Sequence, residues 1–159
     1  MTDPLHPGSP APDFDLPADG GGRARLRDHP GRTVVLYLYP KDDTSGCTKE
    51  AADFTEHARA FAEAGAVVIG VSKDSVASHD RFKAKYGLAP VLASDVDGAM
   101  IQSYGAWVQK NMYGRSYMGV DRSTFLIDGQ GVVRRIWRKV KVPGHVAEVL
   151  KVVRELAPA

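Results

Sequence analysis

The sequence predicts an α/β fold with a central mixed β-sheet, flanking helices and an N-terminal β-hairpin. Two apolar runs, residues 34–39 and 66–71, are each followed by a segment with helical spacing. Apolar runs without polar alternation are typical of strands buried on both faces of a sheet. Residues 123–127 and 132–137 read as two further strands joined by the turn residues 128–131. This late hairpin would make the sheet mixed rather than purely parallel.

The N-terminal part of the chain supplies the hairpin and the first helix. Residues 1–13 carry four prolines and are expected to form an extended lead-in. Residues 14–16 and 23–26 flank a glycine-rich turn, which predicts a short hairpin. After the first long strand, an apolar stripe predicts one helix that ends at Gly65. The residues of this stripe are Ala51, Phe54, Ala58 and Phe61.

The remaining elements follow from similar signals. Residues 75–86 are predicted to form a helix that ends at Gly87, and residues 91–93 begin a third strand. A short helix is expected over residues 98–104. Residues 146–156 close the chain as an amphipathic helix. Its apolar face consists of Val146, Val149, Leu150 and Val153.

Length and composition are those of an ordinary globular protein. With 159 residues, of which 43% are hydrophobic and 25% charged, the chain is expected to form one domain over residues 1–159. A net charge of +2 does not require a nucleic-acid partner. The longest apolar run is far below the roughly 18 residues of a membrane span, and residues 1–30 contain no apolar stretch typical of a signal peptide. A cytoplasmic protein without a membrane partner is expected.

The only cysteine, Cys47, is the residue that points most directly to chemistry. It follows a predicted buried strand through a polar loop and lies in or near the first turn of a predicted helix. The N–H groups of a first helical turn have no partners within the helix, and the peptide dipoles place roughly half a positive charge there. Both effects favour the thiolate, which is the nucleophilic form of cysteine. Most free cysteines are small buried apolar residues, but the polar loop and Gly46 favour a reactive thiol here.

Pro40, Thr44 and Cys47 form the pattern P-x-x-x-T-x-x-C at this strand-to-helix junction. The pattern resembles the active-site signature of the peroxiredoxin family, and its flanks are most similar to the PrxQ branch, also called bacterioferritin comigratory protein. The resemblance covers about residues 8 to 155. It includes residues 122–129, which are similar to the PrxQ segment that carries the active-site arginine of the family.

The resemblance implies a thioredoxin-like fold of the peroxiredoxin type and a thiol-dependent peroxidase for hydrogen peroxide and organic hydroperoxides. Cys47 would be the peroxidatic nucleophile and would become a sulfenic acid. Thr44 would offer its hydroxyl to the thiolate and the peroxide, Arg122 would stabilise the thiolate and help to bind the peroxide, and Pro40 would shape the pocket and exclude water. The backbone N–H groups of Gly46 and Cys47 would donate to the bound peroxide. No metal or organic cofactor is implied.

The chain departs from the PrxQ pattern five residues after Cys47. Many members carry a second, resolving cysteine there, whereas this chain has Ala52 and no other cysteine. An intramolecular disulfide is therefore impossible, and a one-cysteine mechanism is expected in which an external thiol reduces the sulfenic acid. Thioredoxin, glutaredoxin and glutathione are equally compatible with the sequence. The resemblance favours a monomer.

Two other classes of function stay open on the sequence. A thiol–disulfide oxidoreductase on the same fold lacks the C-x-x-C pair that such chemistry uses. A redox-sensing or chaperone-like protein that uses Cys47 as a switch would react once, whereas a peroxidase would turn over in the presence of a thiol.

The remaining patterns favour structural roles. The five histidines are scattered without metal-ligand spacing, so no metal site is expected. The basic stretch over residues 134–141 is expected to be a solvated strand face and loop rather than a nucleic-acid surface. An aromatic and sulfur-rich segment is interpreted as part of the core, with an apolar rim for larger hydroperoxides as an equal possibility. Its residues are Trp107, Met112, Tyr113, Tyr117 and Met118.

Overall fold

The computed structural model describes residues 5–156, which form nine strands and five α-helices. The strands are β1 (Asp15–Pro17), β2 (Arg23–Arg25), β3 (Thr33–Leu38), β4 (Ala66–Ser72), β5 (Val91–Ser94), β6 (Trp107–Met112), β7 (Arg115–Val120), β8 (Ser123–Ile127) and β9 (Val133–Trp137). The helices are α1 (Ser45–Glu56), α2 (Ala58–Glu63), α3 (Val76–Tyr86), α4 (Ala99–Ser103) and α5 (His145–Leu156).

A five-stranded sheet with the strand order β5-β4-β3-β8-β9 forms the centre of the molecule. Strands β3, β4 and β5 run parallel, whereas β8 is antiparallel to β3 and β9 is antiparallel to β8. Strands β1 and β2 form the predicted N-terminal hairpin. The mixed sheet, its flanking helices and this hairpin confirm the predicted fold class. Of the predicted extended lead-in, residues 1–4 lie outside the described residues.

The predicted limits of α3 are confirmed by its end groups. The Ser75 hydroxyl oxygen accepts a hydrogen bond from the backbone N–H of Ser78 at 3.1 Å, which caps the first turn. Gly87 ends the helix with φ of 62°, in the left-handed region that glycine adopts at low cost.

The single helix predicted from the apolar stripe up to Gly65 is divided in two. Helix α1 ends at Glu56 and α2 begins at Ala58, because His57 leaves regular helical geometry with φ of −99° and ψ of 10°. Gly65 follows α2 with φ of 77°, so the predicted end of the helical region is confirmed. The bend at His57 follows the C-terminal end of α1 and so lies at the opposite end of the helix from Cys47.

The core interpretation of the aromatic and sulfur-rich segment is wrong for most of its residues. The segment forms the β6–β7 hairpin outside the central sheet, and only Trp107 among its large side chains packs against the core. Tyr113 and Gly114, with φ of 52° and 77°, make the tight turn at its tip. No other element of the described residues packs over the outer part of this hairpin, so the hydrophobic side chains there stay in contact with solvent. The exposed ones are Met112, Tyr113, Tyr117 and Met118.

Alternating residues of β3 face two separate layers of the core. Val34, Leu36 and Leu38 pack on the face that also buries residues of α4. Val35, Tyr37 and Tyr39 pack on the opposite face with residues of α1, α2 and α5, and Cys47 belongs to this second layer. The ring of Tyr37 stacks on Phe54 of α1 with 4.6 Å between ring centroids. These stacked aromatic side chains fix α1, and with it Cys47, against the sheet.

One edge of the central sheet collects the loops that carry polar residues. The carboxyl ends of β3, β4 and β5 lie at this edge because the three strands are parallel and in register. The beginning of β8 lies at the same edge, since Ser123 pairs with Leu38 in the antiparallel ladder. In open α/β sheets, ligands bind at such carboxyl ends.

The close contact between β3 and β4 predicts a specific cost for adding a side chain at Gly70. A Cβ placed there would lie 2.5 Å from Cζ of Tyr37, the aromatic residue that is its partner in the ladder. We expect Gly70→Ala to lower the free energy of unfolding by about 1–3 kcal/mol because the Tyr37 ring must shift within a packed core. Urea denaturation measures this effect.

A matched control is available at Gly22, where an added Cβ would meet no atom within 4 Å and φ is −88°. Gly22→Ala is expected to change the free energy of unfolding by less than about 0.5 kcal/mol. Equal stability of the two alanine variants would contradict the proposed clash at Gly70.

Candidate active site

Cys47 occupies the first turn of α1, as the sequence predicts. Thr44 is the residue before the helix and has extended geometry, and Cys47 is the third helical residue. The thiol is buried, with 2% of the residue exposed. The N–H groups at this end of α1 have no partners within the helix, so the helix presents unpaired donors and a positive dipole end beside the sulfur.

Arg122 lies directly before β8 and reaches across the sheet edge to the thiol. Its Nη2 lies 3.3 Å from Sγ of Cys47, in a hydrogen bond from the guanidinium to sulfur. A cation at this distance favours the thiolate electrostatically. The structure therefore brings together two predicted site residues that are far apart in the chain. It also holds the arginine backbone in place, because the carbonyl of Arg122 accepts from the N–H of Val140 at 3.0 Å.

Gly46 makes room for this guanidinium. A Cβ built on Gly46 would lie 3.1 Å from Nη2 of Arg122, which is closer than side-chain contacts normally come. Glycine at this position therefore lets the arginine lie against the helix backbone and contact Cys47 from the side of the unpaired N–H groups.

Thr44 has a different hydrogen bond from the one that the family resemblance implies. Its hydroxyl donates to the carbonyl of Lys41 at 2.8 Å and does not cap α1 or donate to Cys47. A hydroxyl has one hydrogen but two acceptor lone pairs, so the oxygen of Thr44 can still accept a hydrogen bond. The hydroxyl can therefore contact a bound molecule as an acceptor.

Pro40 is half-buried and directly follows the last hydrogen bond of the β3–β4 ladder. That bond runs from the N–H of Tyr39 to the carbonyl of Val71 at 3.0 Å. Proline has no N–H and cannot continue the ladder, so the chain leaves the sheet here and begins the loop that leads to Cys47.

Glu50 is a site residue that sequence reasoning missed. It lies three residues after Cys47 on α1, is fully buried, and its Oε1 accepts from Nη1 of Arg122 at 2.7 Å. The i, i+3 spacing puts Glu50 on the same face of the helix as the thiol, and this signal could have identified it. Arg122 thus bridges a sulfur and a carboxylate. Its pKa is raised, since Glu50 and Cys47 together outweigh the burial that opposes its charge.

Burial also changes the titration of Glu50. Removal from water raises its pKa from the ordinary value of 4.5 to about 7, and Arg122 opposes this rise without cancelling it. The second carboxyl oxygen, Oε2, is buried and has no hydrogen-bond partner among residues 5–156. A buried oxygen without a hydrogen-bond partner favours the neutral carboxyl group over the carboxylate, in agreement with the raised pKa.

The remaining polar patterns lie away from the thiol or serve the fold. Within the described residues there is no group of three or more metal-ligating side chains, and no helix of residues 5–156 has the length and hydropathy that a membrane crossing needs. The basic stretch is engaged within the molecule: Arg134 pairs with Asp128, and Arg138 donates to the carbonyls of Tyr104 and Gly105.

Comparison with known proteins assigns the chain to a family. The model of the AhpC/TSA family matches residues 7–136. The chain is 52% identical over 143 residues to the putative peroxiredoxin bcp of Coxiella burnetii, and the alignment covers 90% of this chain and 95% of that protein. The chain belongs to the AhpC/TSA family of peroxiredoxins. This peroxiredoxin is also 45% identical over 150 residues to peroxiredoxin Bcp of Bacillus subtilis, covering 94% and 96% of the two chains.

Solved structures agree with this assignment. The bacterioferritin comigratory protein of Xanthomonas campestris superimposes on the peroxiredoxin with a TM-score of 0.89 and 44% identity, covering 97% of this chain and 98% of that one. A cysteine-to-serine variant of Xylella fastidiosa PrxQ gives a TM-score of 0.92 with 36% identity, covering 99% and 100%. The thioredoxin-like peroxiredoxin fold and the PrxQ branch are confirmed, and the peroxiredoxin is a thiol-dependent peroxidase.

The raised pKa of Glu50 predicts a pH-dependent difference in stability between the wild type and Glu50→Gln. Between pH 4.5 and about 7, folded Glu50 keeps a proton that the unfolded chain has lost, so this residue lowers the free energy of unfolding as pH rises. Glutamine resembles the protonated side chain and does not titrate. We therefore expect Glu50→Gln to match the wild type near pH 4 and to gain stability relative to it by on the order of 3 kcal/mol near pH 8.

Urea denaturation of both proteins at several pH values measures this difference. Taking the difference cancels the titrating groups that lie away from Glu50 and Arg122, because their surroundings are the same in both proteins. A stability difference that does not change with pH would show that Glu50 titrates at its ordinary value in the folded protein.

Proposed function

We propose that this peroxiredoxin reduces hydrogen peroxide and organic hydroperoxides through a sulfenic acid on Cys47, which an external thiol then reduces. The observation that carries the proposal is the 3.3 Å contact between Nη2 of Arg122 and Sγ of Cys47 in the first turn of α1. A cation and a helix N-terminus at one buried sulfur together stabilise the thiolate that attacks a peroxide. The relative from Xanthomonas campestris has alkyl peroxide reduction activity. This activity of a relative supports the proposal that organic hydroperoxides are substrates here.

In the first half-reaction, the thiolate of Cys47 attacks the terminal oxygen of the peroxide in line with the O–O bond. The S–O bond forms while the O–O bond breaks, and the leaving hydroxide or alkoxide takes up a proton from solvent. Sulfur is oxidised to the sulfenic acid, Cys–SOH, and the peroxide is reduced to water or an alcohol. Negative charge moves from sulfur to the leaving oxygen, so donors fixed around the peroxide stabilise the transition state.

The residues of the site divide this task. Arg122 and the N–H groups of Gly46 and Cys47 are the donors that would bind the peroxide oxygens. The hydroxyl of Thr44, whose hydrogen is committed to Lys41, would accept from the peroxide O–H and so orient the terminal oxygen toward sulfur. Pro40, at the start of the loop, would keep water from the same space.

In the second half-reaction, an external thiol must complete the cycle because the chain contains no second cysteine. A thiolate attacks the sulfenic sulfur, forms a mixed disulfide and releases water. A second external thiol then attacks the reductant's sulfur in the mixed disulfide, which forms the reductant's own disulfide and releases Cys47 as the thiol. Thioredoxin, glutaredoxin and glutathione fit this chemistry equally. The monomeric state and cytoplasmic location stay predictions.

The switch function is less favoured than turnover. The Bcp relatives at 52% and 45% identity are peroxiredoxins along nearly their whole length, and the Arg122–Cys47–Glu50 arrangement concerns activation of the sulfur. The thiol–disulfide oxidoreductase has no support either, since the chain lacks a second cysteine for an internal disulfide.

The proposed function is tested by oxidation of the reduced protein in a stopped-flow instrument, with dimedone as a trap for sulfenic acid. We expect oxidation by one equivalent of hydrogen peroxide to be much faster than that of free cysteine, with one dimedone adduct on Cys47 by intact mass. In the presence of dithiothreitol, the protein should consume many equivalents of peroxide, and Cys47→Ser should consume none. A single turnover in excess thiol would favour the switch.

The acceptor role of Thr44 is tested by a matched pair of substitutions. Thr44→Ser keeps the hydroxyl and is expected to retain most of the rate of Cys47 oxidation. Thr44→Val keeps the shape but removes the oxygen, and we expect it to slow oxidation by about 10- to 100-fold. Equal rates for the serine and valine variants would remove Thr44 from the peroxide site.

A further inference from the structure

A buried polar network lies beneath the loop that carries the site. Its centre is Asp42, which is 7% exposed. The Asp42 carboxylate accepts hydrogen bonds from the hydroxyl of Tyr39 at 2.6 Å, the hydroxyl of Ser78 at 2.8 Å and Nδ1 of His79 at 2.8 Å. Two of these donors belong to α3, so a residue of the active-site loop is held by a helix that contributes no group to the site itself.

His79 links this loop to the sheet through both of its ring nitrogens. The residue is fully buried, and its Nε2 lies 2.9 Å from the carbonyl oxygen of Ala93 in β5. An ionised carboxylate and a carbonyl oxygen can only accept, so each ring nitrogen of His79 faces an acceptor. Burial opposes the charge of Asp42, but hydrogen bonds from His79 and Tyr39 outweigh it and lower the pKa of Asp42. Asp42 is thus a buried carboxylate held by donors, and removal of the His79 donor would leave its charge less well compensated.

The neighbouring residue is held by the same helix. Asp43 has φ of 59°, in the left-handed region, which aspartate adopts more often than most residues with a Cβ. It is held there by the hydroxyl of Tyr86 at 2.5 Å and Nζ of Lys85 at 2.8 Å, both from the C-terminal end of α3. Helix α3 therefore contacts two consecutive loop residues, one buried and one exposed.

Asp42 lies within the turn that sets the position of Thr44. The hydroxyl of Thr44 donates to the carbonyl of Lys41. The backbone carbonyl of Thr44 accepts from the N–H of Thr48 at 2.8 Å, in the first turn of α1. A displacement of Asp42 would therefore move the acceptor of the Thr44 hydroxyl and the start of the helix that carries Cys47.

We propose that His79 is a positioning residue for peroxide reduction, acting through Asp42 to hold the turn of residues 41–44 in its reactive geometry. His79 touches no reacting atom. It fixes Asp42 between α3 and β5, and Asp42 fixes the turn from which Thr44 and the first turn of α1 face the peroxide. This inference rests on the proposed function of Cys47, because it concerns the alignment of that reaction.

Asparagine and glutamine at position 79 separate the two contacts of the ring. The amide nitrogen of Asn lies where Nδ1 lies, so His79→Asn can still donate to Asp42 but not to Ala93. The amide nitrogen of Gln lies where Nε2 lies, so His79→Gln keeps the contact with Ala93 and loses Asp42. Both variants remove the imidazole ring, so each controls for the other. Asp42→Asn is a third variant that weakens the same link from the loop side.

Two reactions of Cys47 are compared in each variant. Oxidation by hydrogen peroxide depends on alignment of the peroxide with Thr44 and the helix N–H groups, whereas alkylation by iodoacetamide depends on thiolate formation and access. We expect His79→Gln and Asp42→Asn to oxidise about 10- to 100-fold more slowly than the wild type while alkylation changes by less than about threefold. His79→Asn should keep both rates within about threefold of the wild type.

Each result decides between this role and a purely structural one. Equal slowing of oxidation in the Asn and Gln variants, wild-type oxidation in His79→Gln, or parallel loss of oxidation and alkylation in the variants would each overturn the positioning role. Should the histidine variants fail to fold by urea denaturation, Asp42→Asn provides the same comparison of the two rates. Slow oxidation of the wild type would instead overturn the proposed function and this inference with it.

Discussion

The contact between the guanidinium of Arg122 and the sulfur of Cys47 is the interaction on which the site depends. A thiolate that is almost wholly buried is costly unless a positive charge accompanies it. Arg122 supplies that charge, and Glu50, a residue of α1, accepts a hydrogen bond from the guanidinium and fixes its position. Because burial raises the pKa of Glu50 to about 7, Glu50 is protonated at slightly acidic pH and leaves the guanidinium charge to the sulfur. Above that pH, the Glu50 carboxylate attracts the same guanidinium.

The fold brings these groups together by strand pairing. Cys47 follows β3 and Arg122 precedes β8, and the antiparallel register that places Leu38 opposite Ser123 puts both at one sheet edge. The stacking of Tyr37 of β3 on Phe54 of α1 holds the helix against the sheet. The distance between sulfur and guanidinium is therefore set mainly by the strand register and by the packing of α1 against the sheet.

How much of this can be predicted from the sequence depends on how local each signal is. Cys47 and Thr44 can be predicted as site residues because one short segment carries the signals for a buried strand, a polar loop and a helix start. Arg122 carries no such signal, since its pairing with Cys47 depends on the β3–β8 register, and only the family resemblance indicates it. The network of Asp42 and His79 was missed for the same reason. The exposed β6–β7 hairpin was misread because apolar composition does not reveal whether another layer covers a segment.

The burial of Cys47 sets opposite requirements for the two halves of the proposed reaction. A peroxide is small and needs little space beside a sulfur whose residue is 2% exposed. An external thiol is larger, and it must reach a sulfur that is almost wholly buried beside Arg122 and the first turn of α1. In a chain with one cysteine, no internal thiol can perform this step. On the proposed mechanism, the hydrogen bonds that hold the loop, including those of Asp42, align the peroxide. An external thiol has to reach the same sulfur past these contacts, so the geometry that suits the first half-reaction restricts the second.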